Sequence, residues 1–175
     1  MKYCAFLRGV NVNGTSMKMA EVCKVFADAG LSDVSSVLAT GNILFSSSDK
    51  ALDLKKNLEK AMSEYFNYDA FLFIKTEKEV AQMVEGNPFE KSENLHIYIF
   101  TGTEGIENIL LDEFKIASKT DSEKGEVVGE TFYWQVPKGD TLGSSFGKIL
   151  GKKSLKDKMT SRNLNTMEKI FNKFQ

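Results

Sequence analysis

Hydrophobic positions in the first half of the chain fall into two kinds of segment. Short apolar or β-branched runs predict four strands, at residues 3–7, 34–38, 43–45 and 70–74. Apolar side chains spaced three or four residues apart predict two helices, at residues 17–29 and 49–66. Ser16 is the expected cap of the first helix, and Gly30 ends it. The predicted order is β-α-β-β-α-β.

The second half has a similar but looser pattern. Helical spacing predicts helices at residues 77–85, 105–115, 144–150 and 164–174. Apolar runs predict strands at residues 95–100, 126–128 and 131–136, the last two forming a hairpin across Gly129 and Glu130. Asn165, followed three residues later by Glu168, resembles a capping box for the last helix. The predicted order is α-β-α-β-β-α-α.

This element order indicates an α+β fold. A β-α-β-β-α-β unit is the split β-α-β, or ferredoxin-like, arrangement, in which the third strand lies between the first two and runs antiparallel to them. We therefore expect two ferredoxin-like (α/β-plait) subdomains in tandem, with additional C-terminal helices. The first would span residues 1–76 and the second residues 77–175. Several strands are apolar on both faces, which predicts sheets that are covered on both sides.

Two polar, glycine-bearing segments are expected to meet at one end of the first sheet. They are the loop after the first strand, flanked by Arg8, Asn11, Asn13 and Lys18, and the turn formed by Thr40, Gly41 and Asn42. The unpaired N–H groups at the start of the first helix, beside these cations, favour an anion. Asn and Gly also suit a polar network that only holds the turns in place. The sequence leaves both interpretations open.

Composition excludes several classes of chemistry. The 175 residues are 42% hydrophobic and 27% charged, with a net charge of −1, which is typical of a globular chain with a substantial core. One histidine and two cysteines leave no metal-ligand or zinc motif, so we expect no metal and no cofactor. Thr15 stands where a phosphate-binding loop needs lysine, which argues against a nucleoside triphosphatase. Without a secretory signal or membrane span, a cytoplasmic location is expected.

Charge is distributed unevenly along the chain. Residues 1–137 carry a net charge of −7, and residues 138–175 carry nine basic against three acidic residues, or +6. Such a basic segment could bind a nucleic-acid backbone. It could equally dock on the acidic part of the same chain or of a partner subunit in a homodimer. We favour docking, because the segment also carries apolar residues of the last helix.

Motifs along the chain resemble a known bacterial family. They are residues 7–14 (L-R-G-V-N-V-N-G), Met17 to Met19, residues 40–45 (T-G-N-I-L-F), residues 87–89 (N-P-F) and residues 160–166 (T-S-R-N-L-N-T). This set is similar to domain of unknown function family 1697, although Leu164 stands where the family usually has tryptophan. The resemblance implies a pair of α/β-plait subdomains and carries over no catalytic residue. It also implies that the segment with Arg162, Asn163 and Asn165 packs against the first loop.

The leading functional hypothesis is a cytoplasmic protein that binds an anionic small molecule or a nucleotide. Its predicted ligand-binding residues are Arg8, Asn11, Asn13, Lys18, Thr40, Asn42, Arg162 and Asn163. The two arginines would form charge-assisted hydrogen bonds, and the asparagines would orient the ligand. The alternatives are a hydrolase or transferase that uses carboxylates as acid and base, a structural or regulatory dimer, and a nucleic-acid-binding module.

Overall fold

A four-stranded antiparallel sheet with two helices forms the first part of the molecule. The computed structural model describes residues 1–12 and 15–175, and the side chains of residues 1–10 and 16–175. The elements are β1 (Lys2–Arg8), a small hairpin of β2 (Asn11–Val12) and β3 (Thr15–Ser16), α1 (Met19–Asp28), β4 (Ser32–Ser36), β5 (Asn42–Ser46), α2 (Ala51–Phe66) and β6 (Phe71–Thr76). The strand order β4-β5-β1-β6 is that of a ferredoxin-like unit.

The register of this sheet explains its core. Tyr3 pairs with Phe45 and Leu7 pairs with Leu72, so these side chains share one face. They pack with apolar residues of α1 and α2 in one continuous cluster. On the opposite face Cys4 and Phe6 are also fully buried, so both faces of the sheet lie away from solvent. This confirms the prediction drawn from the apolar runs.

The second part of the molecule repeats the same topology. Its elements are β7 (Leu95–Gly102), α4 (Ile106–Ile116), β8 (Lys124–Val128), β9 (Thr131–Pro137), α5 (Ser145–Leu150), a 3-10 turn (Lys153–Leu155) and β10 (Met159–Asn163). Read from the other edge, as β8-β9-β7-β10, its strand order matches that of the first sheet position by position. Trp134 and four phenylalanines dominate the core between this sheet and its helices, with ring centroids 5.0 to 6.4 Å apart.

The two remaining helices belong to both parts of the chain. One compact unit consists of Met1–Ala81 with Glu168–Gln175, and the other of Gln82–Met167. The helices α3 (Glu77–Glu85) and α6 (Leu164–Phe174) therefore each contribute residues to both units. The α+β fold with two ferredoxin-like units is confirmed. The domain division at residues 76 and 77 stays a prediction.

The structure corrects three local predictions. The second half contains a fourth strand, β10, which makes α5 part of the repeated unit. Ser16 lies in β3, and the N-cap of α1 is Lys18, which makes no side-chain capping bond. The last helix begins at Leu164, with the Asn163 side-chain oxygen accepting the Thr166 N–H at 2.9 Å. Asn163 thus takes the capping role predicted for Asn165, because β10 leads into α6 without a loop.

Candidate functional site

The predicted meeting of the first loop and the β4–β5 turn is observed. The Leu7 N–H donates to the Gly41 carbonyl at 2.8 Å, which joins the turn to the end of β1. Gly41 has a φ of +82°, and a Cβ there would lie 3.0 Å from the Leu7 Cβ. Only glycine combines this conformation with so close an approach. Arg8, the last residue of β1, therefore lies at the same end of the sheet as the turn.

Asn42 and Thr40 form a hydrogen-bonded pair within this turn. The Asn42 amide nitrogen donates to the Thr40 hydroxyl at 2.9 Å and to the Val37 carbonyl at 3.0 Å. The Asn42 side chain is completely buried, whereas Thr40 is exposed. At least part of the hydrogen-bonding capacity of Asn42 is thus used to hold the turn.

Lys18 lies at the start of α1, at the same end of the first unit. Its side chain is exposed, and its carbonyl accepts the N–H groups of Glu21 and Val22 at 3.0 and 3.2 Å. The Met17 N–H donates to the Val10 carbonyl at 3.1 Å and closes the base of the loop. Asn13 and the Asn11 side chain lie outside the part of the chain that the structure describes.

Arg162 and Asn163 end β10 in the second unit. The Arg162 guanidinium donates to the Thr160 hydroxyl at 3.0 Å and to the Ser161 carbonyl at 2.8 Å. These local bonds limit the orientations of the guanidinium. Asn163 caps α6, as described above, and also lines a pocket in this unit. The predicted packing of Arg162 and Asn163 against the first loop stays a prediction.

That pocket has a volume of about 280 Å³ and lies where three strands of the second sheet meet. Leu95, the first residue of β7, pairs with Pro137 at the end of β9, while Asn163 at the end of β10 pairs with Tyr98. The Lys138 N–H donates to the Asn94 carbonyl at 2.9 Å, so the pairing of β7 with β9 continues one residue beyond the strand ends. Antiparallel pairing thus brings residues from three distant parts of the sequence to one place.

Polar side chains surround an apolar floor in this pocket. Leu95, Ile97 and Leu164 form the floor, and Ile97 and Leu164 are 4% and 5% exposed. The polar side chains around it are Lys91, Ser92, Glu93, His96, Lys138, Asn163 and Asn165. Two lysines and one glutamate give the lining a net positive charge. Among the described residues, the Lys138 ammonium has no hydrogen-bond or ion-pair partner.

The first turn of α6 adds to this positive character. Leu164 and Asn165, its first two residues, line the pocket. The first N–H groups of a helix have no acceptor within the helix, and the helix dipole places partial positive charge there. The pocket therefore combines two cations, a helix start and an apolar surface, which suits an anion that carries an apolar group.

Sequence reasoning identified only Asn163 among the residues of this pocket as a ligand-binding candidate. His96 is half-buried on β7, with its ring centroid 5.7 Å from that of Tyr98. His96 is the sole histidine in the sequence, and this alone could have marked it as a candidate site residue. Lys91 and Lys138 carry no local signal, because only the strand register shows that they come together.

The part of the chain that the structure describes also bears on metal binding, thiol chemistry and membrane insertion. No group of three or more His, Cys, Asp or Glu side chains there could hold a metal ion. Both cysteines are free thiols; burial raises the pKa of Cys23, and a hydrogen bond with Ser36 and the charge of Lys173 partly offset the rise. None of the helices described is long and apolar enough to cross a membrane.

Comparison with known proteins places the chain in a family without an assigned activity. A solved structure described as conserved bacterial protein SP0830 from Streptococcus pneumoniae matches 98% of this chain and 97% of its own, with a TM-score of 0.79 and 22% identity. At that identity the likeness shows the fold alone. No curated protein matches the chain. The family model for a protein of unknown function, DUF1697, matches residues 1–133, so the chain belongs to the DUF1697 family.

Proposed function

We propose that this protein binds a small anionic molecule, and that the binding site is the pocket at the start of α6 in the second unit. The observation that carries the proposal is the combination of Lys138, Lys91 and the α6 N-terminus around an apolar floor. The Lys138 ammonium, which has no partner among the described residues, gains a charge-assisted hydrogen bond when an anion enters.

The size of the pocket narrows the ligand class. Pockets for drug-sized ligands have volumes of roughly 300 to 1,000 Å³. A volume of about 280 Å³ therefore fits a small organic acid or a phosphate monoester better than a dinucleotide. The apolar floor favours ligands with a hydrocarbon or ring portion next to the anionic group.

The hydrogen bonding around the pocket favours binding over catalysis. The Ser92 hydroxyl accepts the Asn94 N–H at 3.3 Å and makes no hydrogen bond with His96. Glu93 and His96, the pocket's candidate acid and base, are not joined by a hydrogen bond or an ion pair either. An assembled nucleophile and base would be the usual sign of hydrolase or transferase chemistry. The proposal includes a cytoplasmic location, supported by the two free thiols.

The first strand–helix loop is the second candidate location for the same ligand class. Arg8, Thr40 and Asn42 lie at one end of the first sheet, and Lys18 lies at the helix start beside them. The convergence of the two connections, shown by the bond between Leu7 and Gly41, supports this location. Because the two candidate sites use different residues, substitutions can separate them.

A thermal-shift screen of inorganic phosphate, nucleoside monophosphates and small organic acids tests the proposal. A ligand at 100 times its Kd stabilises a protein by about 2.7 kcal/mol, which corresponds here to a rise in Tm of roughly 5 to 10 °C. Loss of one charged hydrogen bond, in Lys138→Gln, is expected to weaken binding by about 1.5 to 3 kcal/mol. The exposed Lys56 is a matched control in the first unit, and Lys56→Gln should leave the shift unchanged.

The Arg8→Ala variant decides between the locations. If it abolishes the ligand-induced shift while Lys138→Gln does not, the site is the first loop. If Arg8→Ala lowers Tm strongly and no compound restores it, the arginine is a structural element of the first unit. An absence of stabilisation by every compound tested contradicts the proposed function.

A further inference from the structure

The densest run of positive charge in the chain joins α5 to β10. Residues 148–158, here called the basic segment, contain five lysines (Lys148, Lys152, Lys153, Lys156 and Lys158) and one acidic residue, Asp157. Its net charge is therefore +4, within a chain whose total is −1. The segment covers the end of α5, the 3-10 turn and the residues before β10.

Most of this charge has no partner in the described part of the chain. Lys152 lies 3.9 Å from a Glu113 oxygen, an ion pair between half-exposed side chains that contributes little. The ammonium groups of the other four lysines make no ion pair or hydrogen bond there. Lys153, Lys156 and Lys158 are also exposed. The sequence favoured docking of this segment on acidic residues of the same chain. The Lys152–Glu113 pair is the one such contact among the described residues, and it is weak.

The backbone of the basic segment is held in place by consecutive turns. The Leu155 N–H donates to the Lys152 carbonyl at 3.1 Å, and the Lys158 N–H donates to the Leu155 carbonyl at 3.1 Å. The Lys158 carbonyl in turn accepts the Thr103 N–H at 2.9 Å. The lysines are therefore presented from an ordered backbone, which reduces the entropy lost on binding.

The apolar residues of the segment point away from a binding surface. Leu155 is 5% exposed, and Ile149 and Leu150 pack on the core of the second unit. The segment contains no aromatic residue on which a base could stack. It offers charge without an apolar face, whereas interfacial membrane binding needs buried apolar area and protein interfaces usually have an apolar centre. A phosphate backbone needs only the charge.

We infer that the basic segment binds the phosphate backbone of nucleic acid, without sequence specificity. This interaction is separate from the small-molecule pocket and does not depend on it. Lysine ammonium groups act as point charges on phosphate oxygens, and such contacts position a protein on a duplex without reading bases.

Salt dependence of binding to a fluorescein-labelled DNA duplex of mixed sequence, measured by fluorescence anisotropy on the full chain, tests the inference. Four phosphate contacts predict that log K falls with log salt with a slope of roughly −3 to −4, so that affinity drops about a hundredfold between 50 and 200 mM NaCl. Two duplexes of different sequence should bind with equal affinity.

A fourfold variant with a matched control identifies the surface. The combination Lys148→Gln, Lys153→Gln, Lys156→Gln and Lys158→Gln should remove most of the binding at 50 mM NaCl and flatten the salt slope to about −1. The control combination is Lys50→Gln, Lys56→Gln, Lys60→Gln and Lys78→Gln, four exposed lysines of the first unit with the same total charge. It should keep both affinity and slope.

Three results would overturn the inference. They are no duplex binding at 50 mM salt, equal loss of binding in the two variants, and binding to vesicles rich in phosphatidylserine without binding to the duplex. Sedimentation velocity adds a further arm: self-association that the fourfold variant abolishes, with no duplex binding, would assign the segment to a second copy of this chain.

Discussion

Asn42 illustrates how a residue chosen for ligand chemistry can also carry local structure. Its type and its place between two strands predicted a polar site at the turn. The structure shows a fully buried amide that donates to both Val37 and Thr40. A buried carbonyl that has lost its donor destabilises the folded state, because it makes a hydrogen bond neither to the protein nor to water. Asn42 is therefore important to the stability of the first unit, whatever else it binds.

The stability prediction for this residue is direct. Asn42→Ala removes two hydrogen bonds and leaves the Val37 carbonyl without the amide, so we expect a loss of about 2 to 3 kcal/mol in the free energy of unfolding. Urea denaturation measures it. Asn57, exposed on α2, is the matched control, and Asn57→Ala should change stability by less than about 0.5 kcal/mol. Equal effects of the two substitutions would contradict the structural role.

The role of a single residue could be predicted from the sequence where it depends only on the neighbouring residues in the chain. The turn at Thr40 to Asn42 was identified from its composition, and the structure gives it a glycine with a φ of +82°. The second reason for glycine, the 3.0 Å approach to Leu7, is tertiary and has no sequence signal. The cap of α1 was assigned wrongly, because Ser16 looked suitable by type while pairing in the small hairpin placed it in a strand.

At the scale of elements, α4 and β8 show how a glycine allows a helix to approach a strand. A Cβ on Gly125 would lie 2.7 Å from the Phe114 ring, so the ring packs directly over the glycine backbone. Phe114 is 5% exposed and contacts Phe132 and Phe146 in the same core. The strand β8 lies at the edge of its sheet and is held there partly by this contact.

Substitution of Gly125 should displace α4 from β8 and destabilise the second unit. Gly125→Ala forces Phe114 to move within a close-packed core, which costs typically 1 to 3 kcal/mol. Thermal or urea unfolding gives the measurement, and Gly143→Ala is the control, because nothing lies within 4 Å of a Cβ there. A neutral Gly125→Ala would show that the ring does not rest on the strand as described.

Prediction of elements was good where apolar spacing was strong. The bounds predicted for α3, residues 77–85, are those observed. The Thr76 hydroxyl caps the helix start by accepting the Glu79 N–H at 3.2 Å, the Glu79 carboxylate accepts the Thr76 N–H at 2.7 Å, and Pro88 follows the end of the helix. The strand β10 was missed because four of its five residues, Thr160 to Asn163, are polar and give no apolar run. Only pairing with β7 makes it a strand.

For the whole molecule, element order was enough to predict the repeated fold but not the pocket. The first β-α-β-β-α-β unit follows from hydrophobic spacing and general topological rules, whereas the same spacing predicts the second unit without its last strand, β10. The pocket draws on residues 91–97, 138 and 163–165, which meet only because β7, β9 and β10 are paired in one register. The spacing of these residues along the sequence does not show that they lie close together in the fold. The charge asymmetry, in contrast, was visible directly in the sequence.

Two-dimensional amide NMR, recorded while the best-stabilising anion is titrated into the protein, shows which residues contact the anion. If the anion binds in the pocket at the start of α6, shifts should be concentrated at His96, Lys138 and Asn165, which line it, with little change at the control residue Lys56. Shifts confined to Arg8 and Gly41, or the absence of a saturable shift with any anion, would contradict the assignment of the site to the second unit.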